Sequence, residues 1–348
     1  MPTMTALMKV AKGPGNVELR EVDIPIPGPD EVLVEVHHVG ICGSDLHIAR
    51  DTHPNHPPVI LGHEFSGTVA VLGAAVTGWQ LGDRVVSELH GGACGQCRLC
   101  KTGNVFACPH KRPIGWWTNG AYADYIRVPA RLLHRVPDGL PLVEAALTEP
   151  LAVCLNVLQR TPVAPQSDVV VVGPGPIGIL AGLAAKAAGA GTITMVGRDS
   201  SKERLALALE LGFDHVVNTD HDDLDASIKD LTAGLGADLV IEAGGSEAAV
   251  QASIVCARKL GTIAALGVHA GYFQFPWNDA VFKALAIVFS FSANYLSFEQ
   301  SLRMLERRLV PADRLIQARF PLAQWRDAFD LLERRGAMKA VLDFKQAN

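Results

Sequence analysis

Four of the seven cysteines in this 348-residue chain lie in one short segment, 91–110, with the sequence GGACGQCRLCKTGNVFACPH. Their spacing is Cys94-x2-Cys97-x2-Cys100-x7-Cys108. Thiols this close together could form disulfides, a redox pair or a tetrahedral Zn²⁺ site. A redox pair needs only two of them and leaves the others unexplained.

Composition helps to choose among these interpretations. Hydrophobic residues make up 49% and charged residues 19%, which indicates a folded chain with a large core. The net charge of −5 without a basic block argues against nucleic acid or an anionic membrane as a partner. The N-terminal MPTMTALMKVAKGPG lacks the apolar core of a secretory signal, and Gly, Pro or Lys interrupt the longest apolar runs. We therefore expect a cytoplasmic protein with no membrane partner.

Disulfides rarely persist in the cytosol, so the spacing favours one structural zinc held by Cys94, Cys97, Cys100 and Cys108. A site closed by four thiolates leaves no open position for a substrate. Any metal chemistry must therefore lie elsewhere in the chain.

A second group of metal-binding residue types lies upstream, in GICGSDLHIAR and ILGHEFSGTVAVLGAAV. Cys42 and His63 could bind a second zinc with a position left open for substrate. Glu64 and Glu149 are the candidates for a further protein ligand, although either could form an ordinary ion pair. Taken alone, a buried cysteine or a core histidine is the commoner interpretation of such residues.

A glycine motif, Gly173-x-Gly175-x-x-Gly178, follows the apolar run DVVVV and begins a helical pattern. In that context it predicts a dinucleotide site, because the glycines let backbone N–H groups approach a pyrophosphate at the helix N-terminus. Asp199, 21 residues after Gly178, could accept the ribose hydroxyls of NAD, whereas Arg198 could accept the 2′-phosphate of NADP. We favour NAD and leave NADP open.

Two kinds of element must position these residues. The first part of the chain reads as short strands between Gly and Pro, and from Asp168 strands alternate with helical segments, which predicts a parallel sheet covered on both faces. We expect a β-rich domain of residues 1–155 plus 296–348, to which KAVLDF returns as a strand. The second domain is residues 156–295.

The motifs together resemble the zinc-containing medium-chain dehydrogenase/reductase family, in its polyol (sorbitol) and threonine dehydrogenase branch. GHEFSGTVAVLGAAV is similar to the family's zinc signature, the four-cysteine segment to its structural lobe, and GPGPIG to its nucleotide turn. The resemblance covers essentially the whole chain. It implies an α/β fold made of a GroES-like β-rich catalytic domain and a Rossmann doubly wound parallel-sheet cofactor domain. It also implies a homodimer or homotetramer.

The resemblance assigns roles as well. It implies a catalytic zinc bound by Cys42 and His63 with Glu64 or Glu149. It also implies a proton relay through Ser44 and His47. Asp45 is expected to orient the ring of His63. The expected activity is NAD(P)-dependent oxidation of a secondary alcohol of a polyol, sugar or related compound to a ketone. Amino-alcohol (threonine-type) or simple alcohol oxidation, and a non-catalytic zinc protein, are the alternatives. The predicted cofactor residues are Gly173, Gly175, Pro176, Ile177, Gly178, Arg198, Asp199, Arg204 and Leu266.

Substrate recognition is the least determined part. PIGWWTNGAY, with Trp116 and Trp117, is expected to line the substrate pocket. Lys339 is expected either to meet a phosphate or to be solvated. His53 and His56, in the proline-rich DTHPNHPP, are expected to lie in a plain surface loop.

Overall fold

The computed structural model describes residues 2–269 and 271–344. The chain forms two compact units, one of residues 1–149 with 293–348 and the other of residues 150–292. In the described residues no helix is both long and apolar enough to cross a bilayer.

The first segment of the chain is rich in strands. Its strands are β1 (Thr3–Lys9), β2 (Val17–Asp23), β3 (Glu31–Gly40), β4 (Val59–Ile60), β5 (Glu64–Leu72), β6 (Arg84–Ser87), β7 (Tyr125–Pro129) and β8 (Leu133–Arg135). Its helices are α1 (Gly43–Ala49), α2 (Arg98–Lys101), α3 (Leu142–Ala145) and α4 (Thr148–Leu158).

The middle segment alternates strands with helices. Its strands are β9 (Asp168–Val172), β10 (Thr192–Gly197), β11 (His215–Asn218), β12 (Ala237–Glu242), β13 (Ala257–Ala265) and β14 (Ala286–Phe289). Its helices are α5 (Pro176–Ala187), α6 (Lys202–Glu210), α7 (Leu224–Leu231), α8 (Glu247–Cys256) and α9 (Trp277–Phe282).

The final segment completes the first unit. It contains α10 (Tyr295–Glu306), α11 (Ala312–Leu315), β15 (Ile316–Pro321), α12 (Trp325–Glu333) and β16 (Lys339–Asp343). Strand β16, the predicted KAVLDF strand, pairs with β3 in the order β15-β16-β3-β5-β6-β8, and β7 also pairs with β3. A smaller sheet has the order β2-β1-β4.

The middle unit is built on a parallel sheet with the order β11-β10-β9-β12-β13-β14. This is the strand order of a Rossmann fold. Strands are added outward from β9 to β11 on one side and from β12 to β14 on the other, so the order of addition reverses between β9 and β12. Val169–Val172 in β9 are all buried, as expected for a strand covered by helices on both faces. The predicted α/β class and doubly wound cofactor domain are therefore confirmed.

Candidate active site and metal centres

The four predicted lobe cysteines converge around a common point. Their Sγ atoms all lie within 4.8 Å of one another. Cys97 Sγ is 3.9 Å and Cys94 Sγ is 3.7 Å from Cys108 Sγ. A tetrahedral Zn²⁺ with Zn–S bonds of about 2.3 Å would place its sulfurs about 3.8 Å apart, whereas disulfide sulfurs are about 2.05 Å apart. The sulfur positions therefore fit a four-coordinate zinc and no disulfide.

Backbone N–H groups in this loop donate hydrogen bonds to the cysteine sulfurs. Cys94 Sγ accepts the N–H of Cys97, and Cys97 Sγ accepts the N–H of Cys100 at the start of α2. The N–H groups of Gln96 and Cys97 lower the pKa of the Cys94 thiol to about 6. Thiolate is the form that binds zinc, so these N–H groups favour the charge state that a metal requires at Cys94, whereas burial raises the pKa of the neighbouring Cys100 to about 12.

A second group brings together Cys42, His63 and Glu64, whose donor atoms all lie within 4.8 Å of one another. Cys42 precedes α1, just after β3, and His63 immediately precedes β5, whose first residue is Glu64. The antiparallel pairing of β3 with β5 sets Gly40 opposite Glu64 and so joins the two sequence segments. His63 and Glu64 are buried. A thiolate, an imidazole and a carboxylate form a donor set suited to zinc.

The Asp45 carboxylate contacts two members of this group, Cys42 and His63. Its Oδ2 accepts hydrogen bonds from the Cys42 backbone N–H and from the Tyr122 hydroxyl, both at 2.9 Å, and its Oδ1 lies 3.6 Å from His63 Nδ1. Burial alone would raise the pKa of Asp45, but His63 and these hydrogen bonds hold it below its usual value. An ionised Asp45 facing Nδ1 leaves Nε2 of His63 as the nitrogen for a metal. Sequence reasoning included Tyr122 only as part of the expected pocket segment PIGWWTNGAY and missed its hydrogen bond to Asp45, which lies far away along the chain.

We expect Asp45→Asn to weaken binding of the metal at Cys42 and His63 by about 10–100-fold, the usual effect of losing a carboxylate behind a ligating histidine. The amide has the same shape but no charge to hold the Nδ1–H tautomer of His63. Competition with a zinc chelator measures the change. Tyr122→Phe, which removes one hydrogen bond to the same carboxylate, should shift the affinity in the same direction by less. Equal zinc affinity in Asp45→Asn and wild type would contradict this role.

The two candidate glutamates differ in position. Glu64 belongs to the donor group, and its Oε1 is buried without a hydrogen-bond partner in the described part of the chain. Glu149, also buried, lies outside that group. Burial raises the pKa of Glu149 to about 7, with His63 lowering it and Glu64 raising it. The geometry thus favours Glu64 as the third protein ligand and leaves Glu149 as a neighbouring carboxyl.

The structure corrects the expectation that Lys339 is solvated or meets a phosphate, because its side chain is buried and paired with Glu64. It is 4% exposed, its Nζ contacts Glu64 Oε2, and it donates a hydrogen bond of 3.0 Å to the Ile41 carbonyl. Burial lowers its pKa, but the charges of Glu64 and Cys42 more than offset this and raise it. Strand β16 carries the ammonium group to the candidate metal site.

Removing the Lys339 charge should leave Glu64 unpaired in the metal-free protein. We expect Lys339→Met to lower the free energy of unfolding by about 3–5 kcal/mol, as for other broken buried pairs. Thermal unfolding of the zinc-depleted chain measures it. The double variant Lys339→Met with Glu64→Gln should recover most of the loss, and failure of the second change to restore stability would show that the ion pair is not the cause.

The predicted relay residues both lie on α1. Ser44 Oγ is buried and has no hydrogen-bond partner in residues 2–269 and 271–344. His47 is exposed, and its Nδ1 lies 3.2 Å from Thr52 Oγ1. One residue is thus placed on the interior side of the helix and the other at solvent.

The nucleotide turn has the geometry that its glycines predict. Gly173 adopts φ +108°, and a Cβ on Gly178 would lie 1.9 Å from the Gly173 carbonyl oxygen. Helix α5 begins at Pro176 directly after Gly175. Proline at this first position gives up no intrahelical hydrogen bond, and the free N–H groups of the first turn suit a pyrophosphate.

Three of the remaining cofactor candidates, Arg198, Asp199 and Leu266, follow the ends of strands β10 and β13. Strand β10 ends at Gly197, where a Cβ would lie 2.9 Å from Pro174 Cγ, so no acidic side chain fits there. Arg198 donates to Asp220, and Asp199 accepts one hydrogen bond from Asn218 and pairs with His221. Of the other two predicted residues, Arg204 lies in α6, and Leu266 follows β13 with its N–H bonded to the Glu242 carbonyl.

Comparisons with known proteins agree with this architecture. Residues 28–138 match the family described as alcohol dehydrogenase GroES-like domain, and residues 176–307 match the family described as zinc-binding dehydrogenase. Sorbitol dehydrogenase of Halalkalibacterium halodurans is 36% identical over 97% of this chain and 99% of its own length. D-arabitol-phosphate dehydrogenase of Enterococcus avium is 34% identical over 98% of this chain and 97% of its own length.

A solved structure agrees as well. A zinc-binding dehydrogenase from Sinorhizobium meliloti, bound to NADP, superposes with a TM-score of 0.90 at 31% identity, covering 99% of this chain and all of that one. The family resemblance seen in the motifs is thereby confirmed. The chain belongs to the zinc-containing medium-chain dehydrogenases, oxidoreductases that act on CH–OH groups with zinc and NAD(P).

Proposed function

We propose that this zinc- and NAD(P)-dependent dehydrogenase oxidises a secondary alcohol of a polyol, sugar or related compound to a ketone. The observation that carries the proposal is the convergence of Cys42, His63 and Glu64 beside buried polar atoms that find no hydrogen-bond partner among the described residues. The similarity to sorbitol and arabitol-phosphate dehydrogenases supports the same substrate class.

The donor chemistry fits zinc at both centres. In this proposal Cys42, His63 and Glu64 hold the catalytic ion, with Glu149 nearby, and Cys94, Cys97, Cys100 and Cys108 hold the structural ion. When bound, zinc supplies Lewis-acid polarisation of the alcohol oxygen and the nicotinamide supplies the hydride acceptor. Asp45 fixes the ring of His63 so that this donor set stays in place.

The chain's own residues move the proton. The buried hydroxyl of Ser44 both accepts and donates, so it takes the proton of the substrate hydroxyl and passes its own proton onward. The exposed imidazole of His47 accepts that proton on a ring nitrogen and releases it to water.

The cofactor lies on the middle unit in this proposal. Gly173, Gly175 and Gly178, with Pro176 and Ile177, leave room for the pyrophosphate at the start of α5. Asp199 or Arg198 meets the adenosine ribose, Arg204 in α6 and Leu266 after β13 complete the site, and NAD is favoured with NADP as the alternative. The choice is measured by comparing the binding constants of the two cofactors.

The experiment that tests the function combines metal analysis with a substrate panel. We expect about two zinc ions per chain, one for each centre. We expect polyols or sugars to give faster NADH or NADPH formation than amino alcohols or simple alcohols. One zinc per chain without oxidation of any alcohol would instead indicate a protein that keeps only the lobe metal.

We also propose a homodimer or homotetramer. Strand β14 is an edge strand of the parallel sheet, and Trp277, Phe282 and Phe289 are largely exposed on the same unit. Unpaired edges and exposed apolar side chains are typical of protein interfaces. The molar mass of the chain in solution tests this.

A further inference from the structure

The two histidines of the segment 53–56 have different environments, although the sequence suggested one plain surface loop. His56 is exposed, whereas His53 is half-buried with a buried Nε2. The ring of His53 packs edge-on against Trp116, with 4.5 Å between ring centroids. Trp116 also packs edge-on against the candidate ligand His63, at 5.7 Å. A histidine and a tryptophan therefore form one wall beside the catalytic group.

Both residues of this wall carry a polar atom that lacks a partner. His53 Nε2 and Trp116 Nε1 are buried, and neither makes a hydrogen bond within the described residues. Buried polar atoms in native proteins are almost always hydrogen-bonded, since leaving one unpaired costs free energy. Two such atoms on touching side chains, next to a metal-binding histidine, indicate a position for a polar group of a ligand.

We propose that His53 and Trp116 together bind a second hydroxyl group of the substrate, on the carbon next to the one that is oxidised. They thereby make vicinal diols and polyols the preferred substrate class. This inference rests on the proposed dehydrogenase function and specifies the substrate for the same site.

Hydrogen-bonding chemistry selects the hydroxyl among possible groups. Trp116 Nε1–H can only donate, while His53 Nε2 donates or accepts according to the tautomer of the ring. A hydroxyl oxygen accepts from Trp116 and can still donate to, or accept from, His53, so it satisfies both tautomers. An ammonium group has no lone pair and cannot satisfy Trp116. An amino alcohol such as threonine is therefore the poorer fit.

The charge of the side chains around this position also favours a hydroxyl group. Burial lowers the pKa of His53, the nearby His47 and His63 lower it further and Asp45 opposes them, so the environment favours the neutral ring. A neutral imidazole and an indole supply no positive charge for a phosphate or a carboxylate. The ammonium of Lys339, the nearby cation described above, is already paired with Glu64. The wall thus suits an uncharged hydroxyl.

Two substrates with the same carbon skeleton provide the test: 2,3-butanediol has the neighbouring hydroxyl and 2-butanol lacks it. The zinc-loaded full-length protein is assayed with saturating NAD or NADP as wild type, His53→Phe and Trp116→Phe. Each variant keeps an aromatic ring and removes the polar atom. His56→Phe is the matched control, since His56 is an exposed histidine of the same segment as His53.

We expect each wall variant to raise KM for 2,3-butanediol about tenfold, the effect of losing one hydrogen bond between neutral groups, and to change KM for 2-butanol by less than about twofold. The kcat for the diol should change much less than its KM. His53→Gln, which restores a donor and an acceptor, should recover part of the loss. The His56→Phe control should match wild type for both substrates.

Calorimetric binding of 2,3-butanediol to the zinc-loaded protein gives a second readout that needs no turnover, and the same loss is expected there. Equal losses for diol and mono-alcohol, or a wild-type preference for 3-amino-2-butanol, would overturn the inference. If the wild type oxidises no alcohol, the proposed function fails. The calorimetric comparison then decides the hydroxyl site by itself, because unchanged diol binding in His53→Phe refutes it.

Discussion

Cys42→Ser is expected to lose one of about two zinc ions per chain and to lower kcat by a thousandfold or more. Cys42 supplies the only thiolate in the group with His63 and Glu64, and a serine hydroxyl is a poor ligand for zinc because it stays protonated at neutral pH. Lewis-acid activation contributes several kcal/mol to the barrier, and each 1.36 kcal/mol is worth about a factor of ten. Elemental analysis and steady-state kinetics measure the two losses.

The fold of this variant should survive. The structural hydrogen bond of residue 42 is made by its backbone N–H to Asp45, and serine keeps that bond. A matched control is Cys154→Ser in α4, because Cys154 Sγ donates to the Pro150 carbonyl and a serine hydroxyl can do the same. The control should keep both zinc ions and most of its activity. Full alcohol oxidation with undiminished zinc in Cys42→Ser would refute the assigned site.

The features that sequence predicted well are those whose residues lie close together along the chain. The lobe cysteines share one loop, and the glycines of the nucleotide turn share one strand–helix junction. In both, spacing alone determines which backbone and side-chain atoms can meet. The fold class followed from strands that alternate with helices, because that pattern permits few other architectures.

The features that sequence missed depend on strand pairing between distant segments. Lys339 reaches Glu64 only because β16 returns to β3, and nothing in KAVLDF indicates which strand it joins. His53 was expected at the surface because prolines surround it. Its burial depends on Trp116, which comes from a separate loop. The choice between Glu64 and Glu149 likewise needed the register that places Gly40 opposite Glu64.

Cys97→Ser is expected to lower the stability of the protein, whereas Cys42→Ser is expected to lower its catalytic rate. The lobe has a very small core, in which Ala93, Cys100 and Cys108 are the buried residues. Such a cluster buries too little apolar area to order a loop of this length, so the metal must supply most of the folding free energy, as in other small zinc modules. We expect the variant to lose the lobe zinc and its Tm to fall by roughly 5–15 °C, which corresponds to a few kcal/mol for units of this size.

Scanning calorimetry, zinc analysis and limited proteolysis within 94–108 test this expectation together. Gln96→Ser is the matched control, because Gln96 is exposed in the same loop and its contact with Cys94 is made by the backbone. That control should keep both zinc ions, the wild-type Tm and an uncut loop. The catalytic zinc should remain in Cys97→Ser below its lowered Tm, since Cys42, His63 and Glu64 are held by β3 and β5 and by none of the lobe residues. A Cys97→Ser protein with two zinc ions and an unchanged Tm would show that the four sulfurs, despite their tetrahedral spacing, do not depend on a metal for their order.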